Sequence, residues 1–137
     1  MTVALAFKIG ETTYLPTYKL IPKLADVAGE TFGSIDLRVG TITAAKPNKK
    51  ARKPAFVLTI DFGPVIGVKT SSAQITHFYS PPESLVGRQI IAAVNLGERR
   101  IAGVKSQVLV LGVDKLGDGA ISLLGVDGPA PNGARVS

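Results

Sequence analysis

The chain has 137 residues, 45% hydrophobic and 19% charged, a balance that fits one globular domain with a real core and excludes disorder. With no cysteine and one histidine, His77, it excludes disulfides and thiolate zinc sites and leaves little for a histidine-based metal or catalytic centre. No apolar run reaches the roughly 18 residues of a membrane helix, and the first residues lack a signal-peptide pattern, so a cytoplasmic protein without membrane insertion is expected. The net charge of +6 is unevenly placed. Residues 1–33 are neutral. Residues 34–54 set Arg38, Lys46, Lys49, Lys50, Arg52 and Lys53 against Asp36 alone, and Arg99, Arg100 and Lys105 form a second cluster read as free of acid. Two such clusters point to a polyanion or an acidic protein surface as partner.

In chain order, residues 3–9 have strand composition, residues 10–13 suit a turn, and a second strand starts at Tyr14 before Pro16 and Pro22 interrupt it. Residues 1–29 are neutral and apolar, and are expected to be an extension packed on the domain or on a second subunit. Residues 34–45 then form the strand that organises the rest. Its apolar residues alternate at Ile35, Leu37 and Val39, and resume out of phase at Ile42 and Ala44. The phase slip predicts a bulge at Gly40, the device by which a long strand bends and pairs with two partners in a small barrel.

A basic loop, 46–54, follows between prolines. Phe56, Leu58, Ile60 and Phe62 mark a half-buried strand, Gly63-Pro64 predicts a two-residue hairpin turn, and residues 65–69 return as its partner. A short helix is expected over 73–79, with Ser80-Pro81-Pro82-Glu83 as the N-terminal cap and capping box of a helical segment ending at Gly87. Residues 89–94 read as a strand covered on both faces, 98–106 as a basic loop or edge, 108–113 as the next buried strand, and 121–124 as a short apolar strand. The fold class expected is all-β, an OB-fold five-stranded Greek-key barrel with a short helix between strands 3 and 4 and N- and C-terminal extensions. The apolar tail and the N-terminal extension suggest a two-fold dimer interface.

Chemistry-bearing groups are sparse. His77 has no acidic neighbour in sequence before Glu83, and Asp114 with Asp118 lacks the ligand count of a calcium loop, so no catalytic residue, metal or cofactor is expected. Binding is better supplied: Lys49, Lys50, Arg52, Lys53, Arg99, Arg100 and Lys105 offer cations, with Ser72, Gln74, Ser106 and Gln107 as neutral donors and acceptors beside them. Phe56 and Phe62 are assigned to the core, and Phe78 and Tyr79 to packing. That leaves few stacking platforms and favours recognition of a folded RNA by shape and phosphate contact.

Residues 35–42, 85–91 and 95–107, which include Asp36-Leu37-Arg38-Val39-Gly40 and Asn95-Leu96-Gly97-Glu98-Arg99-Arg100, resemble the tRNA-binding domain family. Residues 51–55, 60–63, 71–76 and 108–112 more closely resemble its CsaA-like, export-related chaperone branch. Two departures from the tRNA-binding pattern lean the same way: 46–54 replaces His-Pro-x-Ala-Asp-Lys-Leu, and Ser106-Gln107-Val108-Leu109 replaces Ser-Gln-Gly-Met. The resemblance covers residues 32–136. It implies an OB-fold homodimer over residues 30–137 with a C-terminal dimerisation segment, binding unfolded or precursor polypeptides with residual tRNA-binding capacity. The alternative it implies is a structure-specific tRNA-binding protein acting in trans on an aminoacyl-tRNA synthetase.

Overall fold

The structure, a computed structural model, describes residues 2–137. The chain begins as an antiparallel hairpin of four short pieces, β1 (Thr2–Ala4), β2 (Phe7–Ile9), β3 (Thr12–Tyr14) and β4 (Thr17–Lys19), in which β1 pairs with β4 and β2 with β3. Leu5 N–H donates to Pro16 O across the interruption (3.1 Å), and Gly10 turns the chain at φ +58°. Residues 20–28 run exposed, without regular structure, into a single helical turn, α1 (Gly29–Gly33).

Strand β5 (Leu37–Pro47) is the organising strand, and it pairs with β6 (Phe56–Asp61) along Thr41–Pro47. Its bulge lies between Ile42 and Ala44, not at Gly40 as the apolar phase predicted. Gly40 and Ile42 are both buried, and the register changes only after them, so that Ala45 and not Ala44 is covered. Gly40 is a glycine for a different reason: a β-carbon there would stand 2.6 Å from Ile60 Cγ2 and 2.7 Å from the Phe62 ring. It is a close-approach residue that lets β5 lie against the core. Leu58, Ile60 and Phe62 have no exposed surface, as their alternation predicts.

The expected two-residue turn after β6 is instead a helical turn, α2 (Gly63–Ile66), with Pro64 in its first turn, where a missing N–H costs nothing. Asp61 Oδ1 accepts from Gly63 N–H (2.8 Å), and β7 (Val68–Ala73) then pairs with β6 from Val68 opposite Asp61. No helix forms over 73–79. Ala73 still belongs to β7, Ile75 is buried in the core and residues 76–78 make a lone turn, so tertiary burial sets a path that a stretch too short for a self-sustaining helix cannot resist. The helical piece between the third and fourth barrel strands is the 3-10 turn Pro82–Leu85, which buries Leu85. The capping box is absent, because Pro81 holds the cap position and makes no side-chain cap.

Strand β8 (Gln89–Ala93) lies on the other edge of Leu37–Thr41. A hairpin, β9 (Arg99–Ile101) and β10 (Val104–Ser106), leads to β11 (Leu109–Val110), which pairs with β8. The resulting sheet runs β11-β8-β5-β6-β7. β10 and Gln107 come back alongside β7, giving a nearly closed five-stranded antiparallel barrel of OB type. A last hairpin, β12 (Gly112–Asp114) with β13 (Ile121–Leu123), follows. Asp114 holds its loop by accepting from Gly117 N–H (2.9 Å) and Gly119 N–H (3.0 Å), and Asp118 accepts from Ala120 N–H (3.2 Å). Ile121 and Leu123 pack on the barrel core, so much of the apolar tail finds cover within its own domain.

Residues 130–136 form a strap along the stretch of β5 that β6 leaves free. Gly133 N–H donates to Val39 O (2.8 Å), Val39 N–H to Ala134 O (2.9 Å) and Val136 N–H to Leu37 O (2.9 Å). Gln89 clamps the strap through both sides of its amide, donating to Ala130 O (2.7 Å) and accepting from Ala130 N–H (2.9 Å). Arg38 forks onto the two Asp36 oxygens (2.6 and 3.2 Å) and donates to Gly133 O (3.0 Å).

Two predictions follow from the strap. Gly133 has φ +89°, and a β-carbon there would meet Phe62 O at 2.6 Å, whereas Gly128, at φ +81°, has open space. Gly133→Ala should therefore lower unfolding free energy by more than the ~1–3 kcal/mol of a left-handed alanine alone, with Gly128→Ala as the control that carries only that cost, both read from denaturant melts. The hydrogen bond from Arg38 holds the Asp36 carboxyl below the usual carboxylate range. Its stabilising contribution is present above the unfolded-state value and is lost as pH falls through the folded one. Asp36→Asn should accordingly be less stable than the parent at pH 7, with the gap narrowing below about pH 4 in pH-resolved melts.

Candidate functional site

The barrel closes between β7 and residues 105–108 through side chains more than through a ladder. Gln107 N–H donates to Thr70 O (2.8 Å), and hydroxyls supply the rest: Thr70 Oγ1 donates to Lys105 O (2.6 Å), Ser71 Oγ to Val108 O (3.1 Å), and Ser106 Oγ accepts from Ser72 N–H (3.1 Å). The run Thr70-Ser71-Ser72 is thus the stitching of the seam, and its short side chains leave space above it.

The β9–β10 hairpin stands beside that space. Its register sets Arg99 opposite Ser106 and Ile101 opposite Val104, with Arg100 opposite Lys105 on the alternate face. At the tip, Ala102 (φ +48°) and Gly103 (φ +80°) form the two-residue reversal whose twist suits a hairpin, although alanine is an unfavourable residue for it. A groove of about 530 Å³ lies between this hairpin, the end of β7 and the β11–β13 region. Ile75, Leu96, Ile101, Val108, Leu109 and Ile121 give it an apolar lining, and Ser72, Gln74, Arg99 and Ser106 its polar points. Beside it, sharing Ser72, Gln74 and Ile101, is a recess of about 470 Å³ that Lys50, Arg52 and Lys53 make basic. Lys50 reaches the hairpin tip, its Cδ 3.2 Å from where a β-carbon of Gly103 would sit.

The structure therefore brings Lys50, Arg52, Lys53, Ser72, Gln74, Arg99 and Ser106 around one connected surface. Lys49 is exposed on the same loop but lines neither cavity. Arg100 and Lys105 occupy the hairpin's other face. Gln107 belongs to the seam: its Oε1 accepts from Thr70 N–H (3.0 Å) and its Nε2 donates to Glu98 Oε1 (3.1 Å). Lys105 Nζ lies 3.3 Å from Glu98 Oε2, so the second basic cluster is not free of acid as its sequence suggested. Hydrogen bonds from Gln107 and then Lys105 hold the Glu98 carboxyl below the usual range. Arg38 is likewise withdrawn from the first cluster by Asp36 and the strap. His77 is exposed, edge-on to Phe78, and lies on no helix. The residues of the groove's apolar wall carry no signal of their own in the sequence; Ile101 and Leu109 on strands and Leu96 in the bend before β9 stand out only in the fold, where each is more than two-fifths exposed.

A family model described as "Putative tRNA binding domain" matches residues 37–135. The chain is 36% identical over 108 residues to the methionine–tRNA ligase of Flavobacterium johnsoniae, covering 79% of this chain and 14% of that protein. It is 33% identical to the methionine–tRNA ligase of Pyrococcus furiosus over 130 residues, 94% of this chain and 17% of that one. The chain thus spans less than a fifth of the length of these curated relatives. Among solved structures, the chaperone CsaA of Bacillus anthracis is 47% identical with a TM-score of 0.71, and the CsaA chaperone protein of Picrophilus torridus is 43% identical with a TM-score of 0.74; in both cases 82% of this chain and all of the other are covered. A MetRS-related protein from Pyrococcus horikoshii is 32% identical at a TM-score of 0.70, covering 85% of this chain and all of that one. The chain belongs to the tRNA-binding domain family, in its CsaA-like branch.

Proposed function

We propose that the protein is a non-catalytic, cytoplasmic holder of unfolded or precursor polypeptides that retains contact with tRNA. The observation that carries this reading is the juxtaposition of an open apolar groove with a basic recess. An extended polypeptide buries apolar side chains against Ile75, Ile101, Val108 and Leu109, while Ser72, Gln74 and Ser106 meet its amides. Lys50, Arg52 and Lys53 supply the anion-binding part. The structure's ion pairs involve Lys23, Arg38, Lys105 and Arg135, which leaves the recess cations available among the described residues. No aromatic ring lines either cavity, so base stacking contributes little and tRNA contact runs through phosphates. The basic recess also favours the second reading, a tRNA-binding factor acting in trans on an aminoacyl-tRNA synthetase.

Parallel salt titrations with bulk tRNA and with reduced, carboxymethylated lactalbumin separate the two. tRNA affinity should fall steeply with log salt, and Lys50→Ala/Arg52→Ala/Lys53→Ala should flatten that slope by roughly one per cation removed. Polypeptide affinity should change little with salt and fall about tenfold or more in Leu109→Asp, which lines the apolar groove and not the basic recess, with the tRNA slope kept. A protein that binds tRNA and ignores the polypeptide sinks the holding reading and leaves the trans-acting factor.

We also assign a homodimer, supported by the exposed apolar side chains Phe32, Ile35, Leu124 and Val126 on the segments flanking the barrel. Sedimentation equilibrium should give twice the chain mass for the parent and a shift toward the single chain for Phe32→Asp/Val126→Asp.

A further inference from the structure

The family match begins at residue 37, and the two CsaA structures leave 18% of this chain without a counterpart. The N-terminal hairpin therefore has a job to be read from its own contacts. Those contacts fall on two loops. The Tyr14 ring, stacked on Phe7 at 5.4 Å, meets Phe78 edge-on at 6.4 Å. Tyr18 lies over Gly117, its Cδ1 3.3 Å from where a β-carbon on that glycine would sit. The two loops are also tied to each other, since Lys115 Nζ stands 5.5 Å above the Phe78 ring.

Between those loops opens a second recess, of about 290 Å³, lined by Lys53, Gln74, His77 and Asp118 among others. Gln74 lines the apolar groove and both recesses, and Lys53 lines both recesses, so the three cavities form one run along the end of β7. His77 precedes the residue that Tyr14 touches, and Asp118 follows the one that Tyr18 covers. One wall of the far recess, the 114–119 loop, is held by Asp114, which accepts two of its amides, and by Lys115 N–H donating to Ala120 O (3.2 Å). The other is anchored past the recess by Tyr79, which packs on the core and accepts from Leu123 N–H (2.9 Å), so that His77 and Phe78 are the part left for the hairpin to hold.

We propose that the N-terminal hairpin is a brace that holds the far end of this run in shape, and that Tyr14 and Tyr18 are positioning residues for the ligand bound along it. The hairpin need not touch the ligand. By ordering the 76–79 and 114–119 loops in advance, it removes an entropic cost that binding would otherwise carry. The ligand assignment rests on the polypeptide-holding reading; the brace itself does not.

Hydrogen exchange and binding of carboxymethylated lactalbumin, measured side by side on the full chain, test it. Tyr14→Ala/Tyr18→Ala should speed amide exchange in 76–79 and 114–119, leave β5, β6 and β8 protected, and weaken polypeptide affinity about three- to tenfold. Tyr14→Phe/Tyr18→Phe keeps both rings and should restore both readouts. Unchanged loop exchange in the alanine variant overturns the brace, as does faster exchange with parental affinity. A general loss of protection across the barrel strands overturns it too, because the hairpin is then a stability element of the whole fold. A parent protein that fails to bind the polypeptide refutes the functional reading alone, and loop exchange still decides the brace.

Discussion

A sheet of five short strands becomes a barrel only if its outer members meet, and here they meet through hydroxyl groups. Between β7 and residues 105–108 one backbone hydrogen bond, from Gln107 to Thr70, is joined by bonds that Thr70 Oγ1 and Ser71 Oγ donate and one that Ser106 Oγ accepts. A hydroxyl bridges strands that have diverged beyond ladder spacing, and it does so with little bulk. The core below stays sealed by Leu58, Ile60 and Ile90, while the surface above the stitching stays open. The groove is thus the geometric remainder of an incompletely zipped barrel, and the β9–β10 hairpin, leaning off the same seam, gives it a wall.

The opposite side of the barrel has the complementary problem, because β5 must serve more partners than a strand has edges. It does so by length and by one bulge: Leu37–Thr41 faces β8, Thr41–Pro47 faces β6, and the edge that β6 abandons is taken by the strap from Gly133 to Val136. The strap lies so close that Gly63 and Gly133 must lack side chains, each β-carbon position falling within 2.6 Å of a carbonyl oxygen on the other segment. The C-terminal residues are consequently part of the barrel, and Arg38, a cation in the sequence's most basic stretch, is committed to keeping them there.

The barrel was legible in the sequence wherever one rule acted alone. Phe56, Leu58, Ile60 and Phe62 alternate because one face is core, and nothing competes with that period. The errors fall where two causes compete at one residue. Gly40 sits at a break in apolar phase that predicts a bulge there, but its glycine answers to Ile60 and Phe62 across the core, and the bulge falls at Thr43. Residues 73–79 have helix-compatible composition, yet Ile75 is claimed by the core and β7 runs on to Ala73. At the site, the cations were readable as types but not as roles. Glu98 is seven residues from Lys105, a distance that becomes contact only once the hairpin's two-residue tip sets their sides together.

That sorting of cations bears most on function. A net charge of +6 describes the chain, but charge that can attract a polyanion is the part not already paired. Arg38 and Arg135 turn to Asp36, and Lys105 to Glu98. What remains near the groove is Arg99 on its wall and the loop of Lys49, Lys50, Arg52 and Lys53, stiffened at its far end by Pro54 and stood off the core by the buried Ala55. The field at the groove is therefore one-sided, strong along the 49–53 loop and weak along Leu109 and Ile121. On the holding function proposed above, an extended ligand takes one direction in the groove, with its anionic part toward the loop and its apolar part toward the seam.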